Sequence, residues 1–413
     1  MPNRPVLVAL LDFGILVAAA LVTAAMIPAA ALSLPTPASQ PSPHDLIAQG
    51  LCGPSTSVTT LPGFKSLWIG GLCRFEELTS SIDIHDWISG QTKPAGFLTK
   101  ARYDHSALRM TDGRVLIVGG EGPDRQPTRE VEIYDPSKLK SHQAGSIVTP
   151  RCVPSLTQLL DGEVLVTGGM GCQTYPVQAP VRSIEIYNPR TGSSRIVGEF
   201  KAELKFNRDA TLLKDGRVLF TGGVDAQGNL VGENEIYDPS TNKLTAVAAM
   251  TVHRCGESIV ALPDGSALFA GGVPCGIYPD NALKSAEIFD PRTNQFRAVG
   301  EMKSAQYRPG IALLKDGRVL LAGGSWGTQY SVSVNSAELY DPKSQTFSPT
   351  GNLTTRRSGP ATQVRPDGTV LIQGGAFQGS PAGSVSGLSN SETYDPVRGE
   401  FTAVPEAPRP AAQ

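Results

Sequence analysis

The chain has 413 residues, of which 18% are charged, and its 36 basic and 38 acidic residues give a net charge of −2. A balance so close to neutral argues against nucleic-acid binding, which calls for a basic excess gathered on one face. The 44 glycines and the few charges favour short strands joined by tight turns over helices.

The N-terminal segment differs from the rest of the chain. Residues 13–34 carry no charge, and Arg4 precedes them. A positive start, an apolar run and the small residues Ala29–Ala31 are typical of a secretory signal. As a helix of about 33 Å, the same run would also cross a bilayer. We predict a signal peptide or membrane anchor at 1–33 and a Pro-rich spacer at 34–50, so that the rest of the chain is exported: extracellular, periplasmic, or membrane-anchored and facing outward.

A Gly-Gly doublet that closes an apolar run recurs along the remainder of the chain. Its first glycines are Gly70, Gly119, Gly168, Gly222, Gly271, Gly323 and Gly374. In the last six repeats an Asp-Gly pair stands seven residues upstream of the doublet. A signature of the type Glu-Ile-Tyr-Asp-Pro, as at 132–136, follows downstream. Seven copies at intervals of 49–54 residues indicate a repeat protein.

Each mark of the repeat has a physical role. Asp-Gly is a preferred two-residue hairpin turn, because glycine accepts positive φ, and proline ends a strand because it cannot donate to the ladder. The doublet lets the backbone leave the second strand where a side chain would clash. Each repeat therefore predicts four antiparallel strands, a to d, which make one propeller blade. A closed ring is favoured over an open solenoid because it leaves no exposed sheet edge, and the chain ends must then meet between blades 7 and 1.

This pattern resembles the Kelch repeat, specifically its bacterial variety with Asp-Gly-Arg-Val-Leu and Tyr-Asp-Pro motifs. The expected fold is all-β, a seven-bladed β-propeller of four-stranded antiparallel blades preceded by the N-terminal hydrophobic helix. The blades are predicted at 51–99, 100–148, 149–203, 204–251, 252–301, 302–353 and 354–405, with a flexible tail at 406–413. Blade 1 is the least regular, since Asp83-Ile84-His85-Asp86-Trp87 replaces the signature, and six blades plus an irregular segment is the alternative.

The six cysteines fall in blades 1, 3 and 5, two to a blade. In each pair the first lies at the start of strand a and the second just beyond the doublet, and these places adjoin because strands a and b are antiparallel. The predicted disulfides are Cys52–Cys73, Cys152–Cys172 and Cys255–Cys275. Each would contribute about 3 kcal/mol in the chain-entropy model. Free buried thiols are the alternative, and a zinc site is disfavoured because the sequence has no Cys-x-x-Cys pair.

The strand order predicts a binding face. The b–c and d–a connections lie on the face opposite the short Asp-Gly and Asp-Pro turns, and variable loops on a rigid scaffold usually carry function. Basic residues near the start of strand a and aromatic residues in the b–c loops meet on that face, where they suit carboxylates and sugar rings. The predicted ligand-binding residues are Arg102, Arg151, Arg208, Arg254, Arg308, Arg357, Tyr175, Tyr278, Trp326, Tyr330 and Phe377.

A structural role is the alternative for the arginines that stand seventeen residues before a doublet. They recur once per blade, as do the glutamates of the strand c signature, and Arg–Glu pairing between strands would stabilise the blades. These arginines are Arg102, Arg151, Arg254 and Arg357. Arg208, Arg308 and the loop aromatics are less regular, which makes them better candidates for recognition.

Two functions remain open at this point. The first is a non-catalytic binding protein. The alternative is a carbohydrate-active enzyme, oxidase-like or sugar isomerase-like, because galactose oxidase also has Kelch-type blades. That resemblance implies copper held by two histidines and two tyrosines, one tyrosine being crosslinked to a cysteine. Here tyrosine precedes none of the five histidines, and every cysteine has a predicted disulfide partner. Asp104, His105 and Glu257 lie near the predicted mouth, but no nucleophile with an orienting base is evident.

We therefore predict a non-catalytic, monomeric binding protein without cofactor or metal. Its partner is a protein, peptide or glycan, including an anionic one, and not a nucleic acid. Membrane attachment follows only if the N-terminal helix is retained.

Overall fold

The computed structural model describes residues 57–62, 65–72, 78–87, 89–172, 180–201, 209–223, 234–274, 282–326, 332–377, 386–388 and 390–404. Every regular element in this part of the chain is a β-strand. It contains no helix that is long and apolar enough to span a membrane. The predicted N-terminal helix, spacer and C-terminal tail lie outside the described residues.

Seven four-stranded antiparallel sheets follow one another along the chain, and in each the strands are hydrogen-bonded in sequence order as a, b, c and d. The strands of blades 1 to 4 are Ser57–Leu61, Lys65–Leu72, Leu78–Asp86 and Gln91–Phe97; Ser106–Arg109, Val115–Val118, Glu130–Asp135 and Lys140–Ser146; Ser155–Gln158, Val164–Thr167, Ser183–Asn188 and Ser193–Glu199; and Asp209–Leu212, Val218–Thr221, Asn234–Asp238 and Lys243–Val247. Those of blades 5 to 7 are Ser258–Ala261, Ala267–Ala270, Ala286–Asp290 and Gln295–Ala298; Gly310–Leu313, Val319–Ala322, Ala337–Asp341 and Thr346–Pro349; and Ala361–Val364, Val370–Gln373, Ser391–Asp395 and Glu400–Ala403. A small sheet pairs Ala376–Phe377 with Ser386–Gly387 in the b–c connection of blade 7.

Strand a of each blade lies beside strand a of the next from blade 1 to blade 7, so these strands surround the axis. The predicted seven-bladed propeller is confirmed. Blade 1 forms a complete sheet, and the alternative of six blades plus an irregular segment is therefore wrong.

The irregular signature of blade 1 closes the ring. Trp87, which stands where other blades have proline, donates from Nε1 to Ser66 Oγ (2.7 Å), and Gln373 of blade 7 donates to the same hydroxyl (3.3 Å). Ser391 Oγ of blade 7 donates to the carbonyl oxygen of Trp87 (3.5 Å). The first and last blades thus meet, as the in-frame repeat requires.

Strand b supplies the core between blades. All four residues of Val115–Val118 are buried, and alternate side chains join separate clusters, one shared with blade 1 and one with blade 3. Burial of both faces explains why this strand is an uninterrupted apolar run. The signature tyrosine of strand c ties blades 2 and 3 to the blade before, since Tyr134 donates from its hydroxyl to the carbonyl oxygen of Ala95 (2.8 Å) and Tyr187 does so to that of Ala144.

The Gly-Gly doublet is a contact between blades. Gly323 and Gly324 have φ of 72° and 96°. A Cβ on Gly323 would lie 2.5 Å from the carbonyl oxygen of Arg357 in blade 7, and the N–H of Gly324 donates to that oxygen at 2.7 Å. Glycine is therefore required both for the left-handed backbone and for the close approach.

The arginine before strand a and the glutamate of strand c form a buried clamp. Arg357 donates to the carbonyl oxygens of Gly374 (2.8 Å) and Asn390 (3.2 Å) and to Glu392 Oε1 (2.8 Å). Glu392 also accepts the backbone N–H of Thr355 (3.0 Å), which belongs to the connection arriving from blade 6. The same pairing occurs in Arg102–Glu132, Arg151–Glu185 and Arg254–Glu287.

The clamp of blade 5 outweighs the effect of burial on its carboxylate. Burial acts to raise the pKa of Glu287, but the N–H groups of Thr251 and Val252 and the guanidinium of Arg254 lower it below its usual value. The clamp thus holds together the incoming connection, the start of strand a and the doublet at the end of strand b.

Blade 6 lacks the arginine. Gln306 takes its place, is fully buried, and donates to Ser336 Oγ (3.3 Å), while its Oε1 has no hydrogen-bond partner. Glu338 still accepts the N–H groups of Lys303 and Ser304, each at 2.8 Å. In blade 4 the corresponding Lys205 lies outside the described residues.

One predicted disulfide is confirmed, that between Cys152 and Cys172, whose Cα atoms lie 5.2 Å apart. Cys255 is also disulfide-bonded. Cys52, Cys73 and Cys275 lie outside the described residues, so the pairings Cys52–Cys73 and Cys255–Cys275 stay predictions.

Replacing Arg151 by methionine should lower the free energy of unfolding by about 3–5 kcal/mol, because Glu185 would keep a buried charge without its partner. The measurement is urea denaturation of both proteins. The control is Arg114→Ala, which breaks an exposed pair with Asp112 and should cost at most about 1 kcal/mol. A loss below that of the control would contradict the clamp.

Replacing Gln306 by arginine should stabilise the protein by about 1 kcal/mol. The new guanidinium would donate to Glu338 and to backbone carbonyls that four other blades bind in this way, and charged hydrogen bonds contribute about 1.5–3 kcal/mol before the cost of burying the charge. The urea midpoint should rise at an unchanged slope. A lower midpoint would mean that blade 6 has no room for the clamp.

Candidate functional site

The residue fifteen positions before each doublet has a left-handed backbone in every blade where it is described. These residues are Asp104, Val153, Gly256, Arg308 and Gly359, with φ between 50° and 64°. Their main chains link successive blades. The N–H of Val153 donates to Asp104 (2.7 Å), that of Arg308 to Gly256 (3.1 Å) and that of Gly359 to Arg308 (2.9 Å). Because they directly precede the innermost strands, they form a ring at the channel opening, which we call the mouth ring.

Three members of the mouth ring carry side chains in a conformation that favours glycine. A left-handed backbone at such residues costs on the order of 1–3 kcal/mol, and strain of this kind gathers at functional sites. Val153, a β-branched residue, is the most unusual of the three and is 43% exposed. The mouth ring therefore presents a few side chains at fixed places around the opening.

Arg308 is an exposed cation on an aromatic support. Its guanidinium carbon lies 5.3 Å from the centroid of the Tyr307 ring, which itself covers Gly256. The next member of the mouth ring is Gly359, where an added Cβ would meet no atom of the described residues within 4 Å. The guanidinium is thus held by a cation–π contact on an exposed side chain, a geometry that suits an anionic or planar polar group.

A second cluster lies at blade 2. Tyr103 pairs with Glu121, the guanidinium carbon of Arg125 lies 5.9 Å from the Tyr103 ring, and Arg125 Nη1 lies 3.8 Å from Glu121 Oε1. Burial and the charge of Glu121 raise the pKa of Asp104 to about 6. Burial and a hydrogen bond to Glu121 raise the pKa of Tyr103 to about 12. The tyrosine thus stays neutral, and the aspartate can hold a proton in mildly acidic conditions.

A third cluster lies at blades 4 and 5. Glu257 is 8% exposed, whereas Asp209 is accessible from the channel although protein surrounds it. Burial and the charge of Asp209 raise the pKa of Glu257. Burial also raises the pKa of Asp209, while the charge of Arg308 acts in the opposite direction. The two carboxyls titrate as a pair.

The structure separates the predicted binding residues into three groups. Arg102, Arg151, Arg254 and Arg357 are at most 1% exposed and belong to clamps, which favours their structural alternative. Arg308 and Trp326 are exposed, and Phe377 is half-buried in the small sheet of blade 7. The remaining four lie outside the described residues: Tyr175, Arg208, Tyr278 and Tyr330.

Sequence reasoning did not select Tyr103, Glu121, Arg125, Asp209 or Tyr307. A signal for two of them exists, since Tyr103 and Tyr307 both stand sixteen residues before a doublet and directly before a residue of the mouth ring. Glu121 and Arg125 lie in a variable connection, where the repeat gives no register.

A propeller with a polar, aromatic-lined mouth is the class of protein that the fold and this site define. No protein-family model matches the chain. It is 37% identical over 62 residues to an F-box/kelch-repeat protein of Arabidopsis thaliana, covering 15% of this chain and 18% of that protein. It is 22% identical over 163 residues to a Kelch-like protein, terF, of Aspergillus terreus, covering 38% and 35%. The chain thus spans about a third or less of these curated relatives.

Solved structures show the same fold. A fungal alcohol oxidase of the AA5 family in complex with copper superposes with a TM-score of 0.60 at 17% identity, over 79% of this chain and 71% of that one. The structure of YjhT gives a TM-score of 0.50 at 15% identity, over 73% and 97%. The Kelch-repeat relatives and the seven blades together support a propeller of the Kelch/galactose oxidase type.

Histidine, cysteine, aspartate and glutamate side chains come together in one group of three in the described part of the chain. Among the described residues, three metal-ligand atoms come close enough to share an ion only at Glu121, Cys152 and Cys172, a group that contains no histidine. The two sulfurs are bonded to each other and are not thiolates. No copper chemistry is derived for this chain.

Proposed function

We propose that this protein binds a partner, without catalysis, at the channel mouth on the face of the b–c and d–a connections. The partner is a protein, peptide or glycan that offers an anionic group. The observation that carries the proposal is the exposed guanidinium of Arg308, supported by the Tyr307 ring. Guanidinium groups form forked hydrogen bonds with carboxylates, and the guanidinium of Arg308, unlike those of the clamps, is free of an ion pair to a carboxylate in the described part of the chain.

Neighbouring groups extend this surface. Trp326, in the b–c connection of blade 6, is 52% exposed and offers a stacking face. Asp104 and Asp209 supply hydrogen-bond acceptors elsewhere on the opening. A ligand that combines an anionic group with hydroxyl or amide groups would match this arrangement.

The proposed location is outside the cytoplasm. The disulfide between Cys152 and Cys172 is consistent with it, because such bonds persist in oxidising compartments. The N-terminal signal or anchor, the bacterial variety of the repeat and a monomeric state belong to the same proposal.

A carbohydrate-active enzyme is the second candidate. The observation that favours it is the pair of carboxyls at Asp209 and Glu257, since groups with raised pKa at an opening suit proton transfer. If the protein chemically converts a glycan that it binds, its function is that of this enzyme and not that of a non-catalytic binding protein.

Arg308→Ala should weaken binding at least about tenfold, which corresponds to about 1.4 kcal/mol for a lost charged hydrogen bond. The purified chain is applied to arrays of acidic and neutral peptides and glycans, and the affinity for the retained ligand is then measured by calorimetry. Trp326→Ala should weaken binding of a glycan more than that of a peptide, because sugar rings stack on indole.

The matched control is Arg114→Ala, an exposed arginine beside an Asp-Gly turn on the opposite face. It should bind like the wild type. Equal affinity of Arg308→Ala and wild type, or a loss caused by Arg114→Ala alone, would contradict binding at the mouth.

A further inference from the structure

Strand a is joined to the next blade by a repeated hydrogen bond near the mouth. The residue thirteen positions before the doublet is serine in blades 1, 2, 3 and 5, and in blades 2 and 5 its hydroxyl bonds to the next blade. Ser106 Oγ donates to the carbonyl oxygen of Pro154 in blade 3 (2.6 Å), and Ser258 Oγ donates to that of Pro309 in blade 6 (2.6 Å). In both places a donor on one blade meets an acceptor on the next.

Blade 4 breaks this pattern. Asp209 stands at the serine position, and Glu257 of blade 5 stands where the prolines are. An ionised carboxylate cannot donate a hydrogen bond to a carbonyl oxygen. At this position the carbonyl oxygen of Glu257 therefore faces the carboxylate of Asp209, which is another acceptor. The side-chain carboxyl group of Glu257 belongs to the same residue.

Thr221 belongs to this group of oxygens. It pairs with Asp209 across strands a and b of blade 4, so both side chains lie on the same face of the sheet. Thr221 is fully buried, and its hydroxyl makes no hydrogen bond of ordinary length but lies near enough to Glu257 to act to lower the pKa of that carboxyl group. The threonine thus contributes a further oxygen between blades 4 and 5.

Glu257 is buried without an ion pair in the described part of the chain. It is 8% exposed, and its carboxyl oxygens make no hydrogen bond of ordinary length, although Thr221, its own N–H and Arg254 lie near enough to act against the effect of burial on its pKa. Two cations face the pair, but Arg254 is paired with Glu287 at 2.9 Å and Arg308 lies over Tyr307. Burying an unpaired carboxylate is unfavourable, so a positive charge from another source would be strongly favoured.

Blade 2 gives an internal comparison. Glu121 is also fully buried beside an aspartate of the channel mouth, Asp104. There the fold supplies a cation, since Arg125 lies 3.8 Å from Glu121, and Tyr103 lies beside the carboxylate. The described residues around Glu257 provide no such ion pair.

We propose that a hard divalent cation of the calcium class binds between blades 4 and 5, held by the carboxylates of Asp209 and Glu257 and the hydroxyl of Thr221. The donors are all oxygens, which calcium and magnesium prefer over transition metals. Asp209 is accessible from the channel, which gives the ion a route in. The ion would join blade 4 to blade 5 at the place where a serine hydrogen bond joins blade 2 to blade 3 and blade 5 to blade 6.

Protons compete for the same oxygens. A carboxyl group binds a metal ion only after it has lost its proton. Since metal binding must displace these protons, cation affinity should rise with pH. Arg308 opposes the cation through its charge near Asp209, and Arg254 does so near Glu257.

The test is calcium binding to the full chain freed of metal with a chelator, measured by calorimetry and by thermal unfolding at pH 6 and pH 8. Wild type should bind one ion, with higher affinity at pH 8, and its Tm should rise with calcium concentration. Magnesium is titrated in parallel to identify the preferred ion. Glu257→Gln, which keeps the shape and removes the charge, should lower calcium affinity at least about tenfold.

The matched control is Asp104→Asn, which removes a comparable mouth carboxyl where Arg125 already supplies a cation. It should bind calcium like the wild type. Absence of heat and of any Tm change with either ion at pH 8 would overturn the proposal. Equal calcium affinity of wild type and Glu257→Gln would also overturn it. A Glu257→Gln protein that is more stable than wild type even in saturating calcium would overturn it too, because it would show that Glu257 is a protonated carboxyl group without a bound ion.

Discussion

The buried arginine–glutamate clamp is the interaction on which the propeller depends. In four blades one guanidinium binds the carbonyl of the first doublet glycine, the carbonyl at the start of strand c and the strand c glutamate. The glutamate carboxylate accepts hydrogen bonds from backbone N–H groups of the connection that arrives from the preceding blade. Without these partners, carbonyl and amide groups of an irregular segment would be buried unpaired, which is costly.

The clamp also separates the positions that repeat from blade to blade from those that vary between blades. Its arginines stand two residues before the mouth ring, so they fix the backbone from which Asp104 and Val153 project. Side chains that repeat in nearly every blade are thereby used for architecture. Those that differ between blades are left at the opening, where Arg308 and the carboxyls of Asp209 and Glu257 place opposite charges near one another.

Sequence reasoning reached the fold because each mark of the repeat reports a local constraint. The Gly-Gly spacing gave seven sheets, and the cysteine positions gave the Cys152–Cys172 bridge. It left open whether the arginines were structural, because the repeat pattern does not report burial. Contacts between blades were also inaccessible: Trp87 looked like a defect of blade 1 and is instead its link to blade 7, and no local pattern places Asp209 opposite Glu257.

Amide hydrogen exchange of the d–a connections tests the role of the clamp most directly. The account predicts that the N–H groups bound by clamp glutamates, at Thr99, Thr149, Val252 and Thr355, exchange as slowly as those within the strands, although they lie in irregular segments. Exchange as fast as that of exposed turn amides would contradict it, because the carboxylates would then not be holding the connections.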